Sequence, residues 1–382
     1  MTSATAARSI TAAVLRTQTA TAPYATSQPL SFESLTLPAP RAGEVLVRIE
    51  RASLCHSDLS VVNGSRPRPL PMALGHEAAG VIDAVGTGVD SVVPGDRVVL
   101  VFVPSCGNCR ECNAGRPALC SVAAETNGSG DLLHGPAVLR DADGQRVNHH
   151  LGVSAFAEYA VVAESSVVRV DSDVPFEVAA LFGCAALTGM GAVFRTAAVA
   201  EGQSVIVFGL GAVGLAAIMA AATIRNCTVI AIDPNTEKHA LALAAGATVC
   251  GTPEQAAELV AAHSLPGGVD VAIEAVGSAR VIEACLSLLA RGGAVVSVGL
   301  PHPDQQLSVQ ALQFAGAGKR LLGSYMGDAI PKEDIPDYVR LWRDGALPME
   351  VLHTDTVPLT ELNEALDALA SGTVVRRLLA PR

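Results

Sequence analysis

The chain has 382 residues, half of them apolar and only 16% charged, enough for two packed domains and unlike a disordered polypeptide. Its 26 basic and 37 acidic residues give a net charge of −11, which excludes a phosphate-backbone partner or an anionic membrane surface as the expected target. Eight Phe, four Tyr and one Trp leave few platforms for stacking single-stranded nucleic acid.

A positive mean hydropathy raises the question of a membrane span, and Gln203–Ile224 is the longest uncharged run. It carries Gly209, Gly211 and Gly214 in its first half and lacks flanking aromatic anchors, so a strand, a glycine turn and a buried helix explain it better. Met1–Arg16 has no apolar signal core. It reads as a frayed, small-residue start of a cytoplasmic protein.

From Ile10 to Val99 short strands such as Glu44–Ile49 and Ala79–Val85 alternate with breakers, Gly86, Gly88 and Pro94–Gly95–Asp96, an all-β texture. A cysteine-rich lobe follows, then a polar excursion loop from Glu125 to His150. The texture changes near Pro175. From Ser204 on, strands are expected at Ser204–Phe208, Thr228–Ile232, Ala247–Val249, Val269–Ile273, Ala294–Val298 and Arg320–Gly323. Helices such as His239–Ala245 and Ala279–Ala290 lie between them, the pattern of a doubly wound parallel sheet. A helix at Thr360–Ala370 and a strand at Val374–Leu379 close the chain.

The strand Val205–Phe208 runs into Gly209–Leu210–Gly211–Ala212–Val213–Gly214 and then a small-residue helix. Gly209 permits the turn, Gly211 lets backbone approach a pyrophosphate, and Gly214 lets helix and strand pack closely. Asp233, at the end of the next strand, is placed to accept the hydroxyls of an adenosine ribose and to repel a 2′-phosphate. Pro234, Asn235 and Thr236 follow it, with no arginine, which favours NAD over NADP. The plain alternative is a glycine turn that serves packing alone.

Nine cysteines are many for a cytosolic chain, and an odd number argues against a complete disulfide framework. Cys106, Cys109, Cys112 and Cys120 lie close enough in sequence to wrap one tetrahedral zinc with four thiolates, a closed structural site. An iron–sulfur cluster is the nearest rival and a redox dithiol a weaker one. Cys55–His56–Ser57–Asp58, Gly75–His76–Glu77 and Cys184 do not assemble into a site by spacing. Taken singly, an inert buried cysteine suits Cys184 and a solvated histidine suits His76.

Together these motifs, with Gly183–Cys184 and Val298–Gly299, resemble the zinc-dependent medium-chain dehydrogenase/reductase family, in its alcohol dehydrogenase branch, over essentially the whole chain. The stretch ending His149–His150–Leu151–Gly152 resembles the longer-loop, dimeric, liver-type members. The resemblance implies an α/β fold in which a GroES-like, mostly-β catalytic domain (1–185 and 326–382) holds an inserted Rossmann NAD-binding domain (186–325), with the active site in the cleft. Cys55, His76 and Cys184 match the ligands of a catalytic zinc, so two zincs per chain are implied. Asp58 matches the carboxylate that orients the ligand histidine, Glu77 a carboxylate behind the metal, and Ser57 the hydroxyl that takes the alcohol proton. His56 and Arg376 match contacts to the cofactor pyrophosphate, with Lys238 and Val298 as further cofactor contacts. Phe102 and Phe156 match positions lining the substrate pocket.

The implied activity is reversible hydride transfer between NAD and a primary or secondary alcohol, of medium size and apolar or aromatic, in a homodimer. Three departures qualify it. Ser60 stands where liver-type enzymes continue a proton relay with histidine, Ala124 stands where the glutathione-dependent branch has arginine, and Arg66 and Arg68 fall in the pocket lip. Arg66 there suits an anionic substrate tail. The alternatives are a same-family dehydrogenase of polyols, acid-bearing or thiol-adduct alcohols, and, from another class, a non-catalytic NAD-binding scaffold or redox sensor.

Overall fold

The computed structural model describes residues 7–18, 20–263 and 267–381; the first part of the expected frayed start, Met1–Ala6, lies outside them. The chain divides into two units, Met1–Cys184 with His353–Arg382, and Ala185–Leu352.

The first unit is built on two sheets. One orders its strands Leu30–Leu37, Arg8–Leu15, Met72–Ala73, Asn148–His149; the other runs Asp355–Pro358, Arg377–Ala380, Glu44–Ser53, Ala78–Val85, Arg97–Leu100, Val167–Val170, with Tyr159–Ala163 also paired to Glu44–Ser53. Arg8–Leu15 corrects the expectation of a loose start: it pairs along its whole length with Leu30–Leu37. Its two faces enter different cores, Ile10, Ala12 and Val14 in one and Ala13 and Leu15 in the other. Only its second half, Ala12–Leu15, is buried on both faces and gives no polar–apolar alternation to read, whereas Ser9 and Thr11 before it are exposed. The C-terminal strand reaches back to the first part of the chain, with Leu378 opposite Ser53. The excursion loop is helical at its start, since Ser121–Ser129 is a helix, and ends in the two-residue strand Asn148–His149.

The second unit holds a six-stranded sheet ordered Val249–Gly251, Thr228–Ile232, Ser204–Phe208, Val269–Glu274, Leu289–Ser297, Arg320–Gly323. Every neighbouring pair is parallel. The strand order reverses beside Ser204–Phe208, the topological switch point of a Rossmann sheet, where ligands bind at the strands' carboxyl ends. The run Gln203–Ile224 is that strand, the glycine turn and the helix Ala212–Ala222. Among the described residues no helix is long and apolar enough to cross a membrane. Residues 326–352, expected with the first domain, pack in the second unit. Gly327 lies against Gly191, and Arg195 bonds Asp334 at 2.7 Å.

Candidate active site

Three separate segments of the first unit meet at Cys55, His76 and Cys184. Cys55 ends the run of strand Glu44–Ser53 in extended conformation and caps the helix His56–Val62. His76 follows Gly75, whose φ is +94° and whose place admits no Cβ: one would sit 2.4 Å from the main-chain nitrogen of Phe156. Cys184 follows the helix Phe176–Leu181. One ligand atom from each lies within 4.8 Å of the other two, and all three side chains are buried.

A buried carboxylate organises this group. Asp58 Oδ2 accepts the main-chain N–H of Cys55 at 3.0 Å, and Oδ1 accepts from His76 Nδ1 at 2.9 Å. With Nδ1 so engaged, Nε2 is the nitrogen left to a metal. Arg376 Nη2 lies 3.3 Å from Cys55 Sγ and its Nε 3.5 Å from Glu77 Oε2, so the guanidinium is packed behind the sulfur. The Cys55 thiol falls well below the usual range, chiefly through its hydrogen bond with Cys184 and, against burial, through Arg376 and His76. The same bond and burial push Cys184 up. Burial opposes charge on His76, but Asp58 and Cys55 together outweigh it and raise its pKa. Two soft sulfurs and an oriented imidazole fit zinc, and three protein ligands leave a position for substrate.

The remaining expected residues are spread around this centre. Ser57 is half-buried on the first turn of His56–Val62, with His56 exposed beside it. Ser60 donates its hydroxyl to the carbonyl of His56 at 2.9 Å. Phe102 meets the His76 ring edge-on, with centroids 5.7 Å apart. Phe156 is fully buried in the main core. Arg66 is half-buried and its main-chain N–H donates to Ser60 O; Arg68 Nη1 donates to the carbonyl of Asn127. Sequence reasoning assigns no role to His150, whose Nδ1 lies 3.3 Å from the same Asp58 oxygen that holds His76. Its place in a His–His pair is the one local mark it carries.

The four lobe cysteines also bring their sulfurs within 4.8 Å of one another. Main-chain N–H groups of Cys109 and Ala123 point at Cys106 and Cys120 sulfurs. Backbone N–H donors bring Cys109 down to about 6, while burial pushes Cys112 up to about 12. Four sulfurs within 4.8 Å of one another on one loop suit a closed four-sulfur metal site.

In the second unit the glycine turn has the expected economy of space. A Cβ on Gly214 would lie 1.8 Å from Gly209 O, whereas one on Gly211 meets nothing within 4 Å. Gly211 therefore faces open space at the N-terminus of Ala212–Ala222, where no side chain caps the helix and phosphate oxygens can reach free N–H groups. Asp233 holds the turn together: Oδ2 accepts the N–H of Leu210 inside the turn, and Oδ1 that of Asn235, each at 2.8 Å. Lys238 is half-buried in the turn that follows. Val298 donates its N–H to Glu274 O at 2.9 Å.

Comparison with known proteins gives one answer. Residues 41–172 match the alcohol dehydrogenase GroES-like domain family and residues 212–343 the zinc-binding dehydrogenase family. The S-(hydroxymethyl)glutathione dehydrogenase of Haemophilus influenzae is 36% identical over 93% of this chain and 95% of its own length. A crystal structure of an alcohol dehydrogenase zinc-binding domain protein from Burkholderia ambifaria superposes with a TM-score of 0.91 at 35% identity, covering 98% of this chain and 99% of that one. Benzyl alcohol dehydrogenase from Acinetobacter calcoaceticus gives 0.88 at 32% identity with the same coverage. Likeness of this depth over nearly the full length makes the chain a member of the zinc-dependent medium-chain alcohol dehydrogenase family, and an enzyme of alcohol-type dehydrogenation.

Proposed function

We propose that the protein interconverts a primary or secondary alcohol, of medium size and apolar or aromatic, with its aldehyde or ketone, using NAD. The observation that carries this is the meeting of Cys55, His76 and Cys184 with His76 Nδ1 held by Asp58. Cys55, His76 Nε2 and Cys184 would hold a catalytic zinc, and Cys106, Cys109, Cys112 and Cys120 a structural one. When bound, zinc supplies Lewis-acid polarisation of the substrate oxygen, and NAD supplies the hydride acceptor.

The chain's own residues do the rest. Asp58 keeps the His76 proton on Nδ1, Arg376 backs the sulfur of Cys55, and Glu77 pairs with Arg376. Ser57 Oγ takes the proton of the alcohol. Its onward route runs through water, because the Ser60 hydroxyl proton is committed to the His56 carbonyl. Phe102, edge-on to His76, gives the substrate an apolar wall. Gly211 and the open helix N-terminus receive the pyrophosphate, and Asp233 the ribose, with a 2′-phosphate repelled. The same reading takes the protein as a cytoplasmic homodimer.

A second substrate reading, a thiol-adduct alcohol, is favoured by the relatives named S-(hydroxymethyl)glutathione dehydrogenase and disfavoured by Ala124. The deciding experiment is metal content per chain together with NAD⁺ reduction over primary, secondary, aromatic and acid-bearing alcohols and S-(hydroxymethyl)glutathione. Two zincs and chelator-sensitive turnover support the proposal, and the panel ranks the substrates. One zinc and no turnover on any alcohol would overturn it.

A further inference from the structure

Asp58 faces two imidazoles, and only His76 also belongs to the Cys55–His76–Cys184 group, although Asp58, His76 and His150 likewise bring one ligand atom each within 4.8 Å of one another. Its Oδ1 lies 2.9 Å from His76 Nδ1 and 3.3 Å from His150 Nδ1, and the side chains of all three are 1% exposed. Among the described residues His150 Nδ1 makes no hydrogen bond of good geometry, and the approach to Asp58 Oδ1 is its polar contact. A buried ring N–H left without an acceptor is costly, so the carboxylate is where that proton goes. The His150 ring also packs edge-on against His76, with centroids 5.3 Å apart at 83°.

The backbone makes this meeting obligatory. Asn148–His149 pairs in parallel with Met72–Ala73, setting His149 opposite Ala73. The main-chain N–H of His150 donates to Ser154 Oγ at 2.9 Å, and that hydroxyl donates onward to Ala73 O at 2.8 Å. Ala155 N–H then bonds Gly75 O, and Phe156 N–H bonds Leu74 O, each at 3.0 Å. The segment carrying His150 is thus stitched, bond by bond, to the segment that delivers His76.

We propose that His150 is a positioning residue of the metal centre: its Nδ1–H donates to Asp58 Oδ1 and fixes the carboxylate that in turn aims His76. Three donors then hold one carboxylate, Cys55 N–H on Oδ2 and the two imidazoles on Oδ1. Rotation of the carboxylate about its Cβ–Cγ bond would break all of them. Removing the His150 donor leaves Asp58 with two, and the orientation of His76 loosens. Outer partners of metal-binding histidines commonly affect metal affinity by ~10- to 100-fold; a partner one step further out belongs at the lower end.

The inference rests on reading Cys55, His76 and Cys184 as metal ligands, and the test separates the two. Full-length protein, His150→Phe and His150→Asn are loaded with zinc, and release to a chelator is followed. The Phe variant keeps an aromatic ring, whereas Asn keeps an N–H donor near the Nδ1 position. Wild-type protein is expected to release one zinc per chain in a resolved slow phase distinct from the four-cysteine zinc. His150→Phe should lose that zinc ~10-fold faster, with the lobe zinc and the melting profile of the loaded protein retained, and His150→Asn should restore the rate to within about threefold. Cobalt(II) in the same site should show its ligand-field bands displaced in the Phe variant alone. Wild-type release from His150→Phe with an unchanged cobalt spectrum overturns the inference, as does equal loss in both variants, which would assign His150 to packing. Wild-type protein that holds only the lobe zinc overturns the reading of the site, and this inference with it.

Discussion

Gly211→Ala and Gly214→Ala separate cofactor binding from folding within one turn. At Gly211 the backbone angles, φ −81° and ψ −177°, are open to alanine, and the added methyl meets nothing within 4 Å. The fold should be indifferent or gain ~0.4–1 kcal/mol from a stiffer unfolded chain. The methyl occupies the space through which a pyrophosphate must approach the helix N-terminus, and overpacking of that kind costs ~1–3 kcal/mol. At ~1.4 kcal/mol per decade, NADH should bind about 5- to 150-fold more weakly. At Gly214 the same methyl would fall 1.8 Å from Gly209 O, so the turn itself must move, and the melting temperature should drop. Titration of NADH fluorescence beside thermal unfolding reads both quantities. NADH affinity in Gly211→Ala within twofold of wild type would refute the placement of the cofactor.

Ser57→Ala should lower kcat by ~10²-fold or more while zinc content and NADH affinity stay at wild-type values, measured by metal analysis and fluorescence titration. Cys120→Ser should release the lobe metal, and limited proteolysis should then cut between residues 104 and 121 while the second zinc is kept. His149 is buried with neither ring nitrogen partnered among the described residues, and burial, with Arg41 and Arg146 adding, lowers its pKa to about 3. The unfolded chain protonates this histidine near pH 6.5 and the folded chain does not, so stability falls as pH drops through that window. From pH 7.5 to 5 the loss is ~2 kcal/mol; urea unfolding of His149→Leu should lack that component, and an identical pH slope in wild type and variant would remove it.

What the sequence shows and what it hides follow from how local each signal is. Ser204–Phe208 and Thr228–Ile232 stand where the apolar runs place them, because central strands of a parallel sheet are buried on both faces and end at abrupt breakers, and the half-buried edge strand Arg320–Gly323 also lies where expected. The four lobe cysteines are equally legible, since one loop carries them all. Arg8–Leu15 is legible only in part, because Ala12–Leu15 is buried on both faces and breaks the alternation that Ser9 and Thr11 begin. Cys55, His76 and Cys184 are joined only by tertiary structure, so spacing is silent about them and family resemblance alone draws them together. His150 is hidden more deeply. Its position depends on a two-residue parallel pairing and on a serine hydroxyl bridging two loops, and neither has a local signature.

Both sites share a device that bears on how variants should be interpreted. In the first unit Asp58 holds the main-chain N–H of Cys55 with one oxygen and aims His76 with the other. In the second, Asp233 holds the N–H of Leu210 within the glycine turn and that of Asn235 beyond it. Each carboxylate therefore pins the loop that carries the candidate ligand-binding atoms. If, as proposed, Asp233 accepts the ribose hydroxyls and the turn receives the phosphates, replacing Asp233 removes both supports, and the loss of NAD affinity should exceed what the ribose hydroxyls contribute. The substitution Asp233→Asn keeps one oxygen, enough for the N–H of Leu210 or of Asn235 but not both, because its amide NH2 is a donor. Asp233→Asn should therefore bind NADH more weakly than wild type but more tightly than Asp233→Ala, and equal affinity in the two variants would show that the retained turn bond contributes nothing.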